Sequence, residues 1–502
     1  MFVKTTQNGL GAATLNLTSQ DAGKADAGKR EASLRGTAPT VLLVRAHENC
    51  KPEIALTSLV SRKDMSAEAG LILLPTFTQR VRQFSLWQPL AVRDFRLLWL
   101  GQSVSLFGDQ FYLIALPWLT LRLTGSAIAL GTVLMIAGGT RAVFQLLGGA
   151  LSDSVSPKLL MVASSVIRAV VTALIAVVVL LGVTQLWHLY TLAFIFGMVD
   201  AVFFPAFMAT IPTLVSKQHL PAGNAVLRGT GRLMSLVGLA TAGIIISTTN
   251  LTVAFAADAA TFVFAAVMIG LMKKRDRLHD APAEDGTSPL QSSNKFKALF
   301  ASIGEGLRYA WSEPVVRALF LFIAAIEFSY AGAASVGIAS LASNRFEGGA
   351  SALGWMLSSL GGGLVIGMVL AGSIIGRRHR GPVLIGSALI IGVGLAVLGF
   401  ATHLLIACAL LILVGIGGGV GNILIMAWIQ SRTRVGMLGR VISLLLLGMS
   451  VVEPLSFALA GFVVTLNLQA LFVASGGFLI LASFIAMASP ALRATDNRFI
   501  ET

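Results

Sequence analysis

Cationic residues fall on alternate sides of a dozen apolar stretches, and this alternation limits what the chain can fold into. From about Leu97 to Met487, apolar runs follow one another, each close to the ~20 residues that a helix needs to cross a bilayer. One set of intervening loops carries Arg93 and Arg96, Lys158, Lys217 with Arg228 and Arg232, and the cluster Lys273, Lys274, Arg275 and Arg277. The same set continues with Arg377, Arg378 and Arg380, then Arg432, Arg434 and Arg440, then Arg493 and Arg498. The other set carries only Arg122 and Arg345. Cationic loops stay in the cytoplasm because moving them across an energised membrane is costly. The pattern predicts an all-α membrane protein of twelve transmembrane helices in the cell inner membrane, with both termini cytoplasmic.

Composition bears on which partners are possible. The chain is 55% hydrophobic and 12% charged, with a mean hydropathy of +0.82, whereas soluble domains average about 25% charged residues. The net charge of +14 sits at membrane-proximal turns and in the amino-terminal tail. Orientation and anionic lipid headgroups account for it, and no nucleic-acid partner is expected. Cys50 and Cys408 have no metal spacing and make no disulfide framework.

The expected spans are 97–121, 127–149, 159–182, 187–212, 225–248, 251–272, 318–342, 352–376, 382–402, 404–428, 441–465 and 468–489. Very short loops such as Thr249–Asn250 and Leu466–Asn467 demand tight helical hairpins. The longest interior gap, 273–317, contains APAEDGTSPLQSSN, which is too polar to build a core. It separates a six-helix bundle over 89–272 from a second over 318–489, with a cytoplasmic tail at 490–502. The loop GGALSDSVSPKLL (148–160) resembles AGSIIGRRHRGPVLI (371–385), as repeated halves would. Residues 1–88 lack sustained periodicity and have no secretory signal pattern. They are expected to form a disordered extension or to lie upstream of a working start near Met65, with LWQPLAVRDF (86–95) as an interfacial lead-in.

Several segments carry a family resemblance. They are FRLLWLGQSVSLFGDQ (95–110), ALPWLTLRLTGS (115–126), FFPAFMATIPTLV (203–215), FAADAATF (255–262), EGLRYAWSEPVVRALF (305–320) and LGRVISL (438–444). On these, the chain from about Trp87 onward resembles the major facilitator superfamily, nearest its branch of macrolide and enterobactin exporters. The resemblance implies two parallel six-helix repeats rocking about a midplane cavity. The superfamily's loop motif, Gly-x-Leu-Ala-Asp-Arg-x-Gly-Arg-Lys, maps onto Gly149, Leu151, Ser152, Asp153 and Lys158. Ser154, Ser156 and Pro157 replace its arginine, glycine and second arginine. By resemblance, Gly149, Asp153 and Lys158 belong to a gate. The antiporter motif expected in the fifth span is present only as VGLATAG (237–243), without its proline.

No nucleophile elbow, phosphate-binding loop or metal cluster is legible, so the chain reads as a non-enzyme without cofactor or metal. The informative groups are ionisable side chains inside apolar spans, which cost about 2.5–3.5 kcal/mol each at the bilayer centre on insertion scales. Asp109 lies midway between Arg96 and Arg122, about 20 Å along the helix from either. A carboxyl group in a low-dielectric cavity can bind and release a proton at physiological pH. Asp109 is therefore expected to couple to protons or substrate, or else to pair with Arg141 or Arg168. Those arginines must be neutralised, by internal carboxylates or by an anionic substrate. Asp200 and Glu327 lie well inside the fourth and seventh spans. The resemblance, in which the first, fourth, seventh and tenth helices line the cavity, assigns Asp109, Asp200 and Glu327 to it. Glu453 precedes Pro454 and is expected as a polar contact at a helix bend, and Asp258 as a structural hydrogen bond. Phe107, Phe111, Tyr112, Phe203, Phe204 and Tyr330 could form an apolar wall. Two glycine clusters, Gly361-Gly362-Gly363 with Gly367 and Gly417-Gly418-Gly419 with Gly421, point to close helix packing.

The function expected is proton-coupled efflux of an amphipathic small molecule (a drug, macrolide or siderophore) by a monomer embedded in lipid. A lysophospholipid or nutrient facilitator, and a non-transporting receptor or assembly protein, are the alternatives.

Overall fold

Inside a bilayer no water can satisfy a backbone N–H or C=O, so an apolar run of this length is driven into a helix. The computed structural model describes residues 87–273, 304, 308, 311–374, 380–433 and 438–489. Within these, a 3-10 turn at Gln88–Ala91 leads into twelve long helices. They are α1 Arg93–Thr124, α2 Ala127–Ser154, α3 Pro157–Leu180, α4 Leu186–Leu214, α5 Leu220–Thr248 and α6 Leu251–Gly270. The second set is α7 Pro314–Arg345, α8 Ala350–Ile374, α9 Arg380–Leu398, α10 Leu404–Arg432, α11 Leu438–Leu466 and α12 Leu468–Ala488. Each is long and apolar enough to cross a membrane. Several overrun the expected spans by about a turn, because the polar first and last turns of a helix carry no hydropathy signal. The extension over 1–86 and most of the gap 273–317 lie outside the described residues.

The short hairpins have local causes. Gly125 ends α1 in the left-handed region at φ 62°, where its N–H donates to Leu121 O at 2.8 Å. Asn250 opens α6 by accepting from Val253 N at 2.9 Å, and Asn467 opens α12 by accepting from Gln469 N at 2.7 Å. The same cap thus stands at corresponding places in the two halves. Ser156 and Pro157, two of the three residues that depart from the loop motif, act as N-cap and first residue of α3. On the opposite side of the bundle, Arg345 donates to Gly399 O and Ala401 O at 2.7 and 3.2 Å and so closes the end of α9.

Helix packing follows the repeat. In the first six helices α2 lies on α4, α3 on α6 and α1 on both α5 and α6; in the last six α8 lies on α10, and α9 on α10 and α12. The two sets meet chiefly along α2 with α11 and α5 with α8. Both seams tighten at glycines. A Cβ on Gly243 would stand 2.9 Å from the Cα of Gly354, and one on Gly131 would stand 3.1 Å from the Cα of Gly461. Gly243 closes the VGLATAG segment, so that stretch serves the contact between halves. α7 widens into a π segment at Ala333–Gly337, where Ser456 Oγ of α11 accepts from Gly332 N at 2.8 Å. Large apolar side chains such as Leu174, Leu405 and Phe484 remain exposed on the outer faces, as lipid contact requires.

Candidate functional site

Between the halves lies a cavity of about 540 Å³. Its lining comes from α1, α2, α3, α4, α5, α7 and α11. Every lining residue lies at the middle of its helix or toward the end of the bundle that carries the chain start (the terminal end). At the far end the glycine seams close, and Gly349 sits against the ring of Trp118. The cavity therefore reaches the middle of the helices and is bounded beyond it by these contacts.

Helical spacing explains which side chains meet there. Gln102, Leu106 and Asp109 share one face of α1, Arg141 and Gln145 one face of α2, and Leu446, Ser450 and Glu453 one face of α11. Polar groups at these intervals inside apolar helices gather into one volume. Asp109, Asp200 and Glu327 all line the cavity, as do Arg141 and Arg168.

Two ion pairs organise it. Arg168 donates to Asp200, joining α3 to α4; the arginine side chain is 7% exposed and the aspartate 41%. The Arg168 guanidinium also lies 5.1 Å from the ring centre of Phe203, 5.5 Å from Phe262 and 6.0 Å from Phe196, a cation–π setting worth about 0.5–2 kcal/mol per good contact. Arg141 donates to Glu453 across the seam between halves, and Ser450 Oγ donates to Gln145 Oε1 beside it at 3.1 Å. Arg141 and Arg168 thus each have an internal carboxylate, whereas Arg228 of α5, which also lines the cavity, has no ion pair among the described residues. Asp109 and Glu327 have no ion-pair partner among the described residues.

Several expectations need correction. Of the two readings of Asp109, the pairing with Arg141 or Arg168 falls away, because Glu453 and Asp200 take those places. Glu453 spans the two halves instead of serving the bend at Pro454. Asp258 is fully buried, yet neither carboxyl oxygen has a hydrogen-bond partner among the described residues. The tenth helix contributes nothing described to the cavity, because α10 packs on α8 and α9. Of the aromatic wall only Phe203 and Phe204 line the cavity, joined by Phe207. Phe111 is in the core, Tyr112 stacks on Phe196 at 4.4 Å, and Phe107 and Tyr330 pack against the core. Missing from the expected site residues are Gln102, Gln145, Asn224, Arg228 and Ser450; Gln102, Gln145 and Ser450 stand one or two turns from the singled-out charges, and Arg228, expected in a cytoplasmic loop, lies inside α5.

Of the gate residues, Gly149 and Asp153 lie on α2, but their side chains are outside the described residues. Lys158 Nζ donates to Gly270 O at 2.8 Å and to Met272 O, bracing the end of α6 from α3. Lys158→Met should lower the thermal midpoint of the purified protein by about 1 °C, corresponding to roughly 1 kcal/mol of lost capping spread over a bundle of this size. An unchanged midpoint with slowed transport would instead give Lys158 a gating role.

Residues 84–497 match the family described as transmembrane secretion effector. The multidrug efflux pump Tap of Mycolicibacterium fortuitum is 26% identical over 78% of this chain and 94% of its own length. Macrolide efflux protein A of Streptococcus pyogenes is 23% identical over 80% of this chain and 97% of its own. Among solved structures, the nucleoside transporter NupG superposes with a TM-score of 0.61 at 12% identity, covering 79% of this chain and 98% of its own. That last likeness speaks for the fold alone.

Proposed function

Because the chain belongs to the transmembrane secretion effector family, within the efflux branch of the major facilitator superfamily, we propose that it exports an amphipathic small molecule in exchange for protons. The observation that carries this is the midplane cavity closed at its far end, where Asp109 and Glu327 are free of arginine. Phe203, Phe204, Phe207, Met208 and Ile211 give the cavity one apolar side facing these polar groups. A cargo with an apolar body and a polar end suits such a wall.

The terminal end of the bundle is the cytoplasmic one in this proposal, on the strength of the cation distribution. The cavity then faces the cytoplasm. The other facing state comes from rocking α1–α6 against α7–α12 at the glycine seams, with the Gly149, Asp153 and Lys158 loop closing the cytoplasmic mouth. Asp109 and Glu327 exchange protons, and the protein works as a monomer in the inner membrane. Protons and cargo drive the cycle only through their different affinities for the two states.

Everted membrane vesicles test the proposal. With an acidic interior, a fluorescent amphipathic cargo from a panel of drugs should accumulate, and a protonophore should abolish the accumulation. Uptake indifferent to the protonophore would remove the coupling to protons. No movement of any cargo on the panel would remove export.

A further inference from the structure

Behind the cavity, in the core of the first six helices, lies a polar node that the exporter reading does not use. Asp258 of α6 is 0% exposed, and neither of its carboxyl oxygens has a partner among the described residues. Around it, Tyr112 OH of α1, Thr172 Oγ1 of α3 and Arg168 Nε of α3 are also buried without a partner among the described residues. These groups share one place. Asp258 and Phe262 are one turn apart on α6, Arg168 and Thr172 one turn apart on α3, and Gly108 and Tyr112 one turn apart on α1. Arg168 lies over Phe262 and Phe196, and Tyr112 stacks on Phe196. A Cβ on Gly108 would stand 2.9 Å from Asp258 Oδ1. The charged groups acting on Asp258 are Asp109 of α1 and Arg168 of α3, with Asp200 of α4 reached through Arg168.

The distribution of partners is unusual. The buried arginine is paired with an aspartate whose side chain is 41% exposed, while an aspartate with no exposure has no donor among the described residues. An ion pair is stronger in a low-dielectric interior, and buried polar groups are nearly always satisfied. The two carboxyls therefore compete for one guanidinium. The helices that carry them differ. α4 contains Pro205, which cannot donate to the carbonyl of Ala201 and leaves the helix free to bend beside Asp200. α6 has no interior proline, and it packs closely on α1 at Gly108, where a Cβ would meet Thr261 and Asp258.

We propose that Asp258 is a positioning residue that receives Arg168 when the transporter turns to its other facing state. Arg168 holds Asp200 while the cavity is open at the terminal end. When α4 moves, the guanidinium passes to Asp258, the node becomes satisfied, and Asp200 is released into the cavity. The inference rests on the alternating-access reading above but does not depend on the cargo or on the coupling ion.

The test measures facing state directly. In the full chain with Cys50→Ser and Cys408→Ala, spin labels at Lys217→Cys and Arg317→Cys report the separation of the halves at the terminal end. Asp258→Asn removes the second partner and should hold the long, open distance. Asp200→Asn removes the first and should shift the population toward the short, closed distance. Each shift should reach about tenfold in the ratio of the two states, the scale of a hydrogen bond to a charged group. If Asp258 only stabilises the fold, both variants lose abundance and neither moves the distances in opposite directions, which overturns the inference. Opposite shifts without export of any cargo would keep the switch and sink the exporter.

Discussion

Asp109→Asn should reach the membrane at the abundance of the unaltered protein and fail to concentrate cargo. The substitution keeps the shape of the side chain but cannot exchange a proton. Asp109 lines the cavity from the middle of α1 and holds no arginine. Its replacement therefore strands no buried cation, and folding should survive. The energetic loss is set by the gradient. One proton moving down a one-unit pH difference supplies about 1.4 kcal/mol, or roughly tenfold accumulation. If Asp109 carries the only exchanged proton, the ratio of cargo inside to outside everted vesicles should fall to about one under that gradient. Downhill exchange of cargo should persist, because rocking needs no net proton movement. Undiminished accumulation at normal abundance would move the coupling to Glu327, the other cavity acid without an ion pair among the described residues. Loss of abundance would show that Asp109 has a structural partner.

Gly415→Ala and Gly419→Ala together should remove most of the protein from the membrane. α8 and α10 cross through Gly363 and Gly367 on one helix and Gly415 and Gly419 on the other, two pairs spaced by four residues. A Cβ on Gly415 would sit 2.7 Å from Leu364 N and 2.9 Å from the Cα of Gly363; one on Gly419 would sit 2.7 Å from Met368 N. These are backbone atoms, which cannot turn away as a flexible side chain would, so the helices must separate. Overpacking of this kind costs about 1–3 kcal/mol per site, and a few kcal/mol changes cellular abundance several-fold. Gly418→Ala is the internal control, because nothing lies within 4 Å of the position its Cβ would occupy. Equal loss from Gly418→Ala, or none from the double substitution measured by immunoblot of membranes, would refute close packing as the role of these glycines.

The sequence by itself determined the twelve helices and the family. Each depends on local composition: apolar length, and short segments such as those over 95–110 and 203–215. It also marked the glycine clusters and the acids of the first, fourth and seventh helices, since an ionisable group within an apolar span stands out in one dimension. It could not assign partners. Arg168 and Asp200 are 32 positions apart, and Arg141 and Glu453 are 312 positions apart, so only the packing of α3 on α4 and α2 on α11 chooses these pairs over Asp109. The fate of Asp258 was equally hidden, because burial and the absence of a donor are properties of three helices meeting. The same holds for the tenth helix. Its composition resembles that of its neighbours, and only its seating between α8 and α9 keeps it from the cavity. Hydropathy records how each residue meets its solvent, whereas charge pairing depends on distances between helices, which tertiary structure alone fixes.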